Sequence, residues 1–299
     1  MAEIIIHEVG PRDGLQVEKQ VVPTDQKLAW IRSLVAAGLD IVQVGSFVHP
    51  EKVPQMADTD EIFRALDAES RGGTILSGLV LNEKGLERGF ACGVDMFCLG
   101  VSASETHSQK NTGMGSGEAQ RRIIAAAREA VAAGKKVQVS VQSAFGCGFE
   151  GPIPEERVLD IVRAYLEAGL TSISLADTAG HAHPGQVRRL FGKILQLAPE
   201  IRCTCHFHDT YGLGMANIYA AMESGVTSFE TSFAGLGGCP FTKVAAGNVA
   251  TEDLVHALRR SGLRTEIGLE GIVAVAREVA AHFGRDMPGR VHKTGPLSY

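Results

Sequence analysis

A repeated unit constrains this chain more than any other feature. Short apolar segments rich in β-branched residues alternate with helix-patterned stretches, and glycine stands at the joins Ala37-Gly38-Leu39, Cys92-Gly93-Val94, Ala133-Gly134-Lys135, Ala168-Gly169-Leu170 and Ser224-Gly225-Val226. Glycine there supplies the left-handed residue that ends a helix at little steric cost. The segments that read as strands are 4–8, 40–44, 74–80, 95–101, 137–142, 172–175, 201–206 and 228–232. Stretches such as 25–37, 118–133, 155–168 and 214–223 are amphipathic, rich in Ala, Leu, Arg and Glu, and long enough to cross over to a parallel strand.

About eight such units are the number that closes a barrel. The expected fold is therefore α/β, a (β/α)8 TIM barrel, with an additional C-terminal helical segment over 269–283. A doubly wound sheet carries a glycine-rich phosphate turn after its first strand, whereas this first strand runs into Gly10-Pro11-Arg12-Asp13-Gly14. No compositional break marks a second domain. Residues 1–299 read as a single catalytic barrel domain, with about 262–299 as a C-terminal extension.

Composition narrows the function. The chain has 299 residues, 44% hydrophobic and 21% charged, with a net charge of -5, which excludes disorder as its main state and gives no footprint for nucleic acid or an anionic membrane. No run approaches the ~18 apolar residues of a membrane span. The start Met1-Ala2-Glu3-Ile4-Ile5-Ile6-His7 lacks the pattern of a secretory signal, and six cysteines lie mostly within apolar segments, so a reducing, cytoplasmic setting is expected. The expected partners are small molecules and, as a barrel of this size, a second copy in a homodimer.

Polar residues gather where the strands end. Arg12 and Asp13 follow the first strand, Gln43 and Ser46 the second, Gln142 and Ser143 the fifth, Asp177 the sixth, and His206 and His208 the seventh. Enzymes of this architecture build their sites from the loops at that face. In Cys203-Thr204-Cys205-His206-Phe207-His208-Asp209, alternation sends both imidazoles to one side and the two thiols to the other, which argues against a mixed Cys/His zinc site. Two imidazoles need further ligands, and Asp13 and Asn248 are neighbours of that pair in a closed barrel. Two nitrogens and two oxygens suit a divalent ion, Mg²⁺ or Mn²⁺, with Zn²⁺ also compatible. Ala234-Gly235-Leu236-Gly237-Gly238-Cys239-Pro240 reads as a flexible loop carrying a thiol at the barrel mouth.

These residues also carry a family resemblance. Val9-Gly10-Pro11-Arg12-Asp13-Gly14-Leu15-Gln16, Ser46-Phe47-Val48, Ser102-Ala103-Ser104-Glu105, His206-Phe207-His208-Asp209-Thr210-Tyr211-Gly212, Gly235-Leu236-Gly237-Gly238-Cys239-Pro240 and Gly247-Asn248-Val249-Ala250-Thr251-Glu252-Asp253 resemble 3-hydroxy-3-methylglutaryl-CoA lyase, in order along the chain. The resemblance implies a metal-dependent barrel whose ion is held by Asp13, His206, His208 and Asn248. It implies an acyl-CoA substrate with Arg12 on the thioester oxygen, a catalytic Cys239, and Ser46, Ser174 and Asp177 lining the substrate site, with Asn111 and Lys19 near the acyl-CoA. Asp177 or His206 is then the expected base, and Cys239 or His206 the acid.

Two positions depart from the family pattern. Gln43 stands where many members have glutamate, and Ala176 where glycine is expected. An amide keeps the hydrogen bonds of a carboxylate and removes its charge. The second expectation is accordingly a lyase for a related 3-hydroxy-3-methyl acyl-CoA such as citramalyl-CoA, or a Claisen-type synthase. The readings from other classes are a metal-dependent hydrolase, in which the His-x-His pair is expected on the first strand whereas here it lies on the seventh, and a catalytically silent acyl-CoA-binding barrel.

Overall fold

The glycine joins end helices as expected: Gly38, Gly93, Gly134, Gly169 and Gly225 all have positive φ, from 76° to 98°. The structure, a computed structural model, describes residues 3–198, 200–238 and 247–297. The strands are β1 (Ile5–Glu8), β2 (Ile41–Ser46), β3 (Ile75–Leu79), β4 (Met96–Ser102), β5 (Lys136–Gln142), β6 (Ser172–Asp177), β7 (Arg202–Phe207) and β8 (Ser228–Thr231), within two residues of the expected bounds. All pair in parallel and in sequence order, and β8 returns to β1 to close the barrel.

Helices cover the outside. They are α1 (Thr24–Ala36), α2 (Thr59–Asp67), α3 (Glu83–Ala91), α4 (Glu105–Thr112), α5 (Ser116–Ala132), α6 (Glu155–Glu167), α7 (Pro184–Leu195), α8 (Gly214–Glu223) and α9 (Thr251–Arg260), followed by α10 (Leu269–Phe283) and α11 (Val291–Thr294). Helix α10 packs on the barrel's side against α1 and α9. The indole of Trp30 in α1 donates to Glu278 of α10 at 3.1 Å and lies 5.9 Å from the Phe233 ring in the turn after β8.

Alternation along the strands divides the barrel into two environments. The outward side chains, among them Ile6, Val42, Leu76, Phe97, Val139, Ile173, Cys205 and Phe229, are buried against the helices and form the main core. Each such apolar group contributes about 1.5–3 kcal/mol, so stability resides chiefly in that outer shell. Inside, Ile41, Met96 and Cys98 with Ile5, Ile75 and Leu79 form a small apolar plug. Above it the interior turns polar, with His7, Gln43, Ser77, Gln138, Thr204 and Glu230 all buried. Polar groups in a barrel's centre oppose folding unless each is hydrogen-bonded, which directs attention to what they face.

Candidate active site

The turn after β1 builds the first wall. The Val9 carbonyl accepts from the amides of Arg12 (3.1 Å), Asp13 (2.7 Å) and Gly14 (3.4 Å), a widened helical turn that starts at Gly10-Pro11 and aims Arg12 and Asp13 across the barrel mouth. Arg12 is fixed twice. Its Nε donates to the Gln43 side-chain oxygen, and its Nη1 pairs with Asp13 Oδ1 at 2.6 Å. Burial alone would raise the Asp13 carboxyl, but Arg12 and the two facing imidazoles hold it well below the usual carboxylate range.

The opposite wall is β7 and its exit. His206 and His208 point inward, as alternation requires, while Cys203 and Cys205 are buried in the outer core. The two Nε2 atoms lie 3.2 Å apart, and Asp13 Oδ2 is 3.9 Å from that of His206 and 3.6 Å from that of His208. His208 Nδ1 is 3.0 Å from the Thr178 carbonyl and must donate its proton to it; His206 Nδ1 is 2.8 Å from Glu230 Oε2. With both protons on Nδ1, two Nε2 lone pairs face each other beside a carboxylate. That arrangement is favourable only around a cation.

Asn248 completes the set. Its Nδ2 donates to Asp13 Oδ2 at 2.9 Å and to the Leu236 carbonyl at 3.0 Å, while its Oδ1 is buried without a hydrogen-bond partner among the described residues. An orphaned acceptor beside Asp13, His206 and His208 is what a fourth oxygen ligand looks like. The donor set therefore fits a divalent ion, and Asp13, His206 and His208 offer ligand atoms within 4.8 Å of one another. Close approach explains two glycines here: a Cβ on Gly237 would come 2.4 Å from Asn248 Nδ2, and one on Gly247 would come 1.6 Å from the Gly235 carbonyl oxygen.

A cavity of about 310 Å³ opens over this set and reaches down to Gln43, Gln138, Ser174 and Glu230. Asn111 lines it from α4. Ser174 faces inward on β6, its hydroxyl buried without a partner. Ser46 reaches the inward face of β2 because the register shifts between Gln43 and Gly45 and pairs Ser46 with Leu79, itself a cavity residue. Its hydroxyl is also an orphan. Lys19 stands apart: it is exposed and borders a neighbouring hollow with Gly237 and Gly238. Cys239 lies outside the described residues; Gly238, which precedes it, lines the cavity.

Asp177 corrects an expectation. It is the last residue of β6, in register with outward-facing Phe207, whereas inward Ala176 pairs with His206. Its carboxylate accepts from the amides of His181 (2.8 Å) and Ala182 (3.1 Å) and does not line the cavity. One residue of strand parity makes it a brace for the loop whose Thr178 carbonyl holds His208. Sequence reasoning also passed over Glu230 and Gln138. The available signal was a charged or amide side chain at an inward position of a strand otherwise apolar.

A model of the HMGL-like family matches residues 3–279. The chain is 35% identical over 288 residues to the hydroxymethylglutaryl-CoA lyase YngG of Bacillus subtilis, covering 96% of each, and 36% identical to an (R)-citramalyl-CoA lyase of Chloroflexus aurantiacus, covering 99% of this chain and 96% of that one. Among solved structures, an HMG-CoA lyase from Acinetobacter baumannii in complex with coenzyme A and 3-methylmalate superposes with a TM-score of 0.93 at 37% identity, covering 99% of this chain and 96% of that one.

Proposed function

The chain belongs to the HMGL-like family, and from that membership we propose that it is a divalent-metal-dependent carbon–carbon lyase that cleaves 3-hydroxy-3-methylglutaryl-CoA to acetyl-CoA and acetoacetate. The observation that carries the reading is the convergence of Asp13, His206 and His208 beside Arg12 over one cavity, with Asn248, its Oδ1 orphaned, hydrogen-bonded to Asp13. Cleavage of the C2–C3 bond transfers the C3 hydroxyl proton to solvent water as the C3–O bond becomes a ketone carbonyl, and leaves C2 as a thioester enolate, which then takes up a proton. A divalent ion, Mg²⁺ or Mn²⁺, held by those four residues would lower the pKa of the C3 hydroxyl and orient the bond to be broken.

The chain's own groups divide the remaining work. Arg12, clamped at Nε and Nη1, presents a fixed cationic fork to the thioester oxygen, where charge develops in the enolate. His206 has Nδ1 committed to Glu230, which suits it to the ligand role rather than to carrying a proton. Ser174 offers a hydroxyl without a protein partner, and Asn111 an amide, to the acyl-CoA, while Ser46, its hydroxyl likewise unpartnered, is buried and does not line the cavity. The thiol of Cys239, next to cavity-lining Gly238, is the group we assign to returning the proton to C2. Five other cysteines, Cys92, Cys98, Cys147, Cys203 and Cys205, are free and buried, in keeping with a reducing cytoplasmic setting.

A second substrate is favoured by one observation. Gln43 gives Arg12 a neutral partner where many members of the family carry a charge, and a relative of similar identity is named a citramalyl-CoA lyase. The deciding experiment follows acetyl-CoA release from 3-hydroxy-3-methylglutaryl-CoA and from citramalyl-CoA, with Mg²⁺ or Mn²⁺ and with chelator. Chelator-sensitive cleavage of the first supports the proposal, cleavage of citramalyl-CoA alone moves the substrate, and no product from either overturns the lyase reading.

A further inference from the structure

The strand register brings two ionisable side chains level with His206 of the metal-site set. On β7, β8 and β1, His206 is in register with Glu230, and Glu230 with His7. Glu230 is buried, and both of its carboxylate oxygens are taken. Oε2 lies 2.8 Å from His206 Nδ1; Oε1 accepts from Gln138 Nε2 at 2.5 Å, with His7 Nδ1 at 3.7 Å. The partners are themselves anchored, Gln138 by the Thr204 hydroxyl at 3.3 Å and His7 by Ser77 Oγ at 2.9 Å. Glu230 can neither rotate nor leave His206 without breaking its bonds to Gln138 on β5 and His206 on β7.

Such a network is a poor way to hold a barrel together. Burying a carboxylate costs several kcal/mol, about what its partners return, and an apolar group of similar volume is often as stable or more so. The arrangement makes sense if its purpose is the orientation of the His206 imidazole. The two histidines are also held unequally: His208 donates to a neutral backbone carbonyl, His206 to a carboxylate. A carboxylate partner makes the imidazole the more strongly donating ligand and locks its tautomer.

Resting on the metal-site reading above, we propose that Glu230, fixed by Gln138, is a positioning residue that holds His206 in the Nδ1–H tautomer with Nε2 aimed at the divalent ion, and so sets the affinity of the site. Glu230→Gln keeps the shape but brings a second amide NH₂ against that of Gln138, so the pair cannot satisfy His206 and each other without a flip. Gln138→Met removes the donor to Oε1 and leaves Glu230 able to turn.

The test is calorimetric titration of Mn²⁺ into the full chain stripped of metal, with thermal melting in parallel. Glu230→Gln is expected to bind Mn²⁺ about 10–100-fold more weakly with a melting temperature no lower than the parent's, and Gln138→Met to lose a smaller factor. A folded Glu230→Gln protein that binds within about twofold of the parent overturns the inference while leaving the metal site standing. A parent that binds no Mn²⁺ overturns the metal reading and this one with it. Should Glu230→Gln not fold, ¹⁵N-histidine spectra of the Mg²⁺-loaded parent, assigned with His206→Asn, decide: Nδ1–H at His206 is the expected result, and Nε2–H overturns it.

Discussion

Asn248 donates a hydrogen bond of 2.9 Å to Asp13 Oδ2 across 235 residues of sequence, tying the turn after β1 to the segment that follows β8. The bond sets the Asn248 amide, whose Oδ1 has no partner among the described residues, against the Asp13 oxygen that lies 3.6 Å from His208 Nε2. It also makes the site sensitive to one atom. Asn248→Asp would set two carboxylates against each other where amide and carboxylate now meet. The metal-free variant is expected to melt several degrees below the parent, and saturating Mn²⁺ to raise its melting temperature by more than it raises the parent's, because the ion relieves the repulsion. Differential scanning fluorimetry with and without Mn²⁺ reads both; equal shifts would remove Asn248 from the ligand set.

Arg12 works as a fork and not as a point charge. If Arg12 binds the thioester oxygen as proposed, lysine at this position keeps the charge but cannot bond Gln43 and Asp13 together while facing that oxygen. Arg12→Lys is expected to lower kcat by about 10²–10³-fold with a much smaller change in KM, as for loss of a donor used in the transition state. Steady-state kinetics that show the loss wholly in KM would assign Arg12 to ground-state binding.

Asp177 separates bracing from proton transfer. If it braces the 178–182 loop through the amides of His181 and Ala182, Asp177→Asn leaves one of those amides facing an NH₂ group and destabilises the fold by about 1–3 kcal/mol. The acid limb of the kcat/KM pH profile should then keep its position. Disappearance of that limb in the variant would return Asp177 to the role of general base.

The carboxyl of Glu8 gives the stability its own pH dependence. Wholly buried, it accepts from the amides of Gly10 and Phe233 and shares a 2.7 Å bond with the Thr251 hydroxyl, and burial pushes its pKa up from 4.5 to about 8. The folded state thus binds a proton that the unfolded state releases near 4.5, so this group's contribution falls as pH rises from 4.5 toward 8. Glu8→Gln mimics the protonated acid at every pH. Chemical denaturation at pH 5 and pH 8 should find the variant close to the parent at the lower value and more stable by on the order of 1–3 kcal/mol at the higher. An equal difference at both would show that Glu8 does not titrate in this window.

Cys239 is tested through its own chemistry. If its thiol returns the proton to C2, Cys239→Ser should lower kcat by about 10²–10⁴-fold while Mn²⁺ affinity is unchanged, since a hydroxyl is a far weaker acid. Full turnover in the serine variant would take the thiol out of the reaction.

Much of the molecule is written in local pattern. Strand and helix periods, the glycine at each helix end and the order of the elements give the barrel, because parallel strands joined by right-handed crossovers leave few other ways to cover both faces. Alternation over Cys203–His208 is equally local, which is why the sequence alone separates the imidazoles from the thiols. The pairing of Asp13 with Asn248 required only that the last strand return to the first.

What tertiary structure decided depends on parity and register between strands. Asp177 looks like an active-site acid one residue from Ala176, yet one step along a strand reverses the face, and the pairing with Phe207 turns it outward. Ser46 comes back to the inward face only through a register shift in β2 that no propensity announces. Glu230 acquires its meaning from the level at which β1, β7 and β8 lie against one another. Sequence determines which side chains share a strand; only the closed barrel determines which of them meet, since those distances are set by the stagger of eight strands around a common axis.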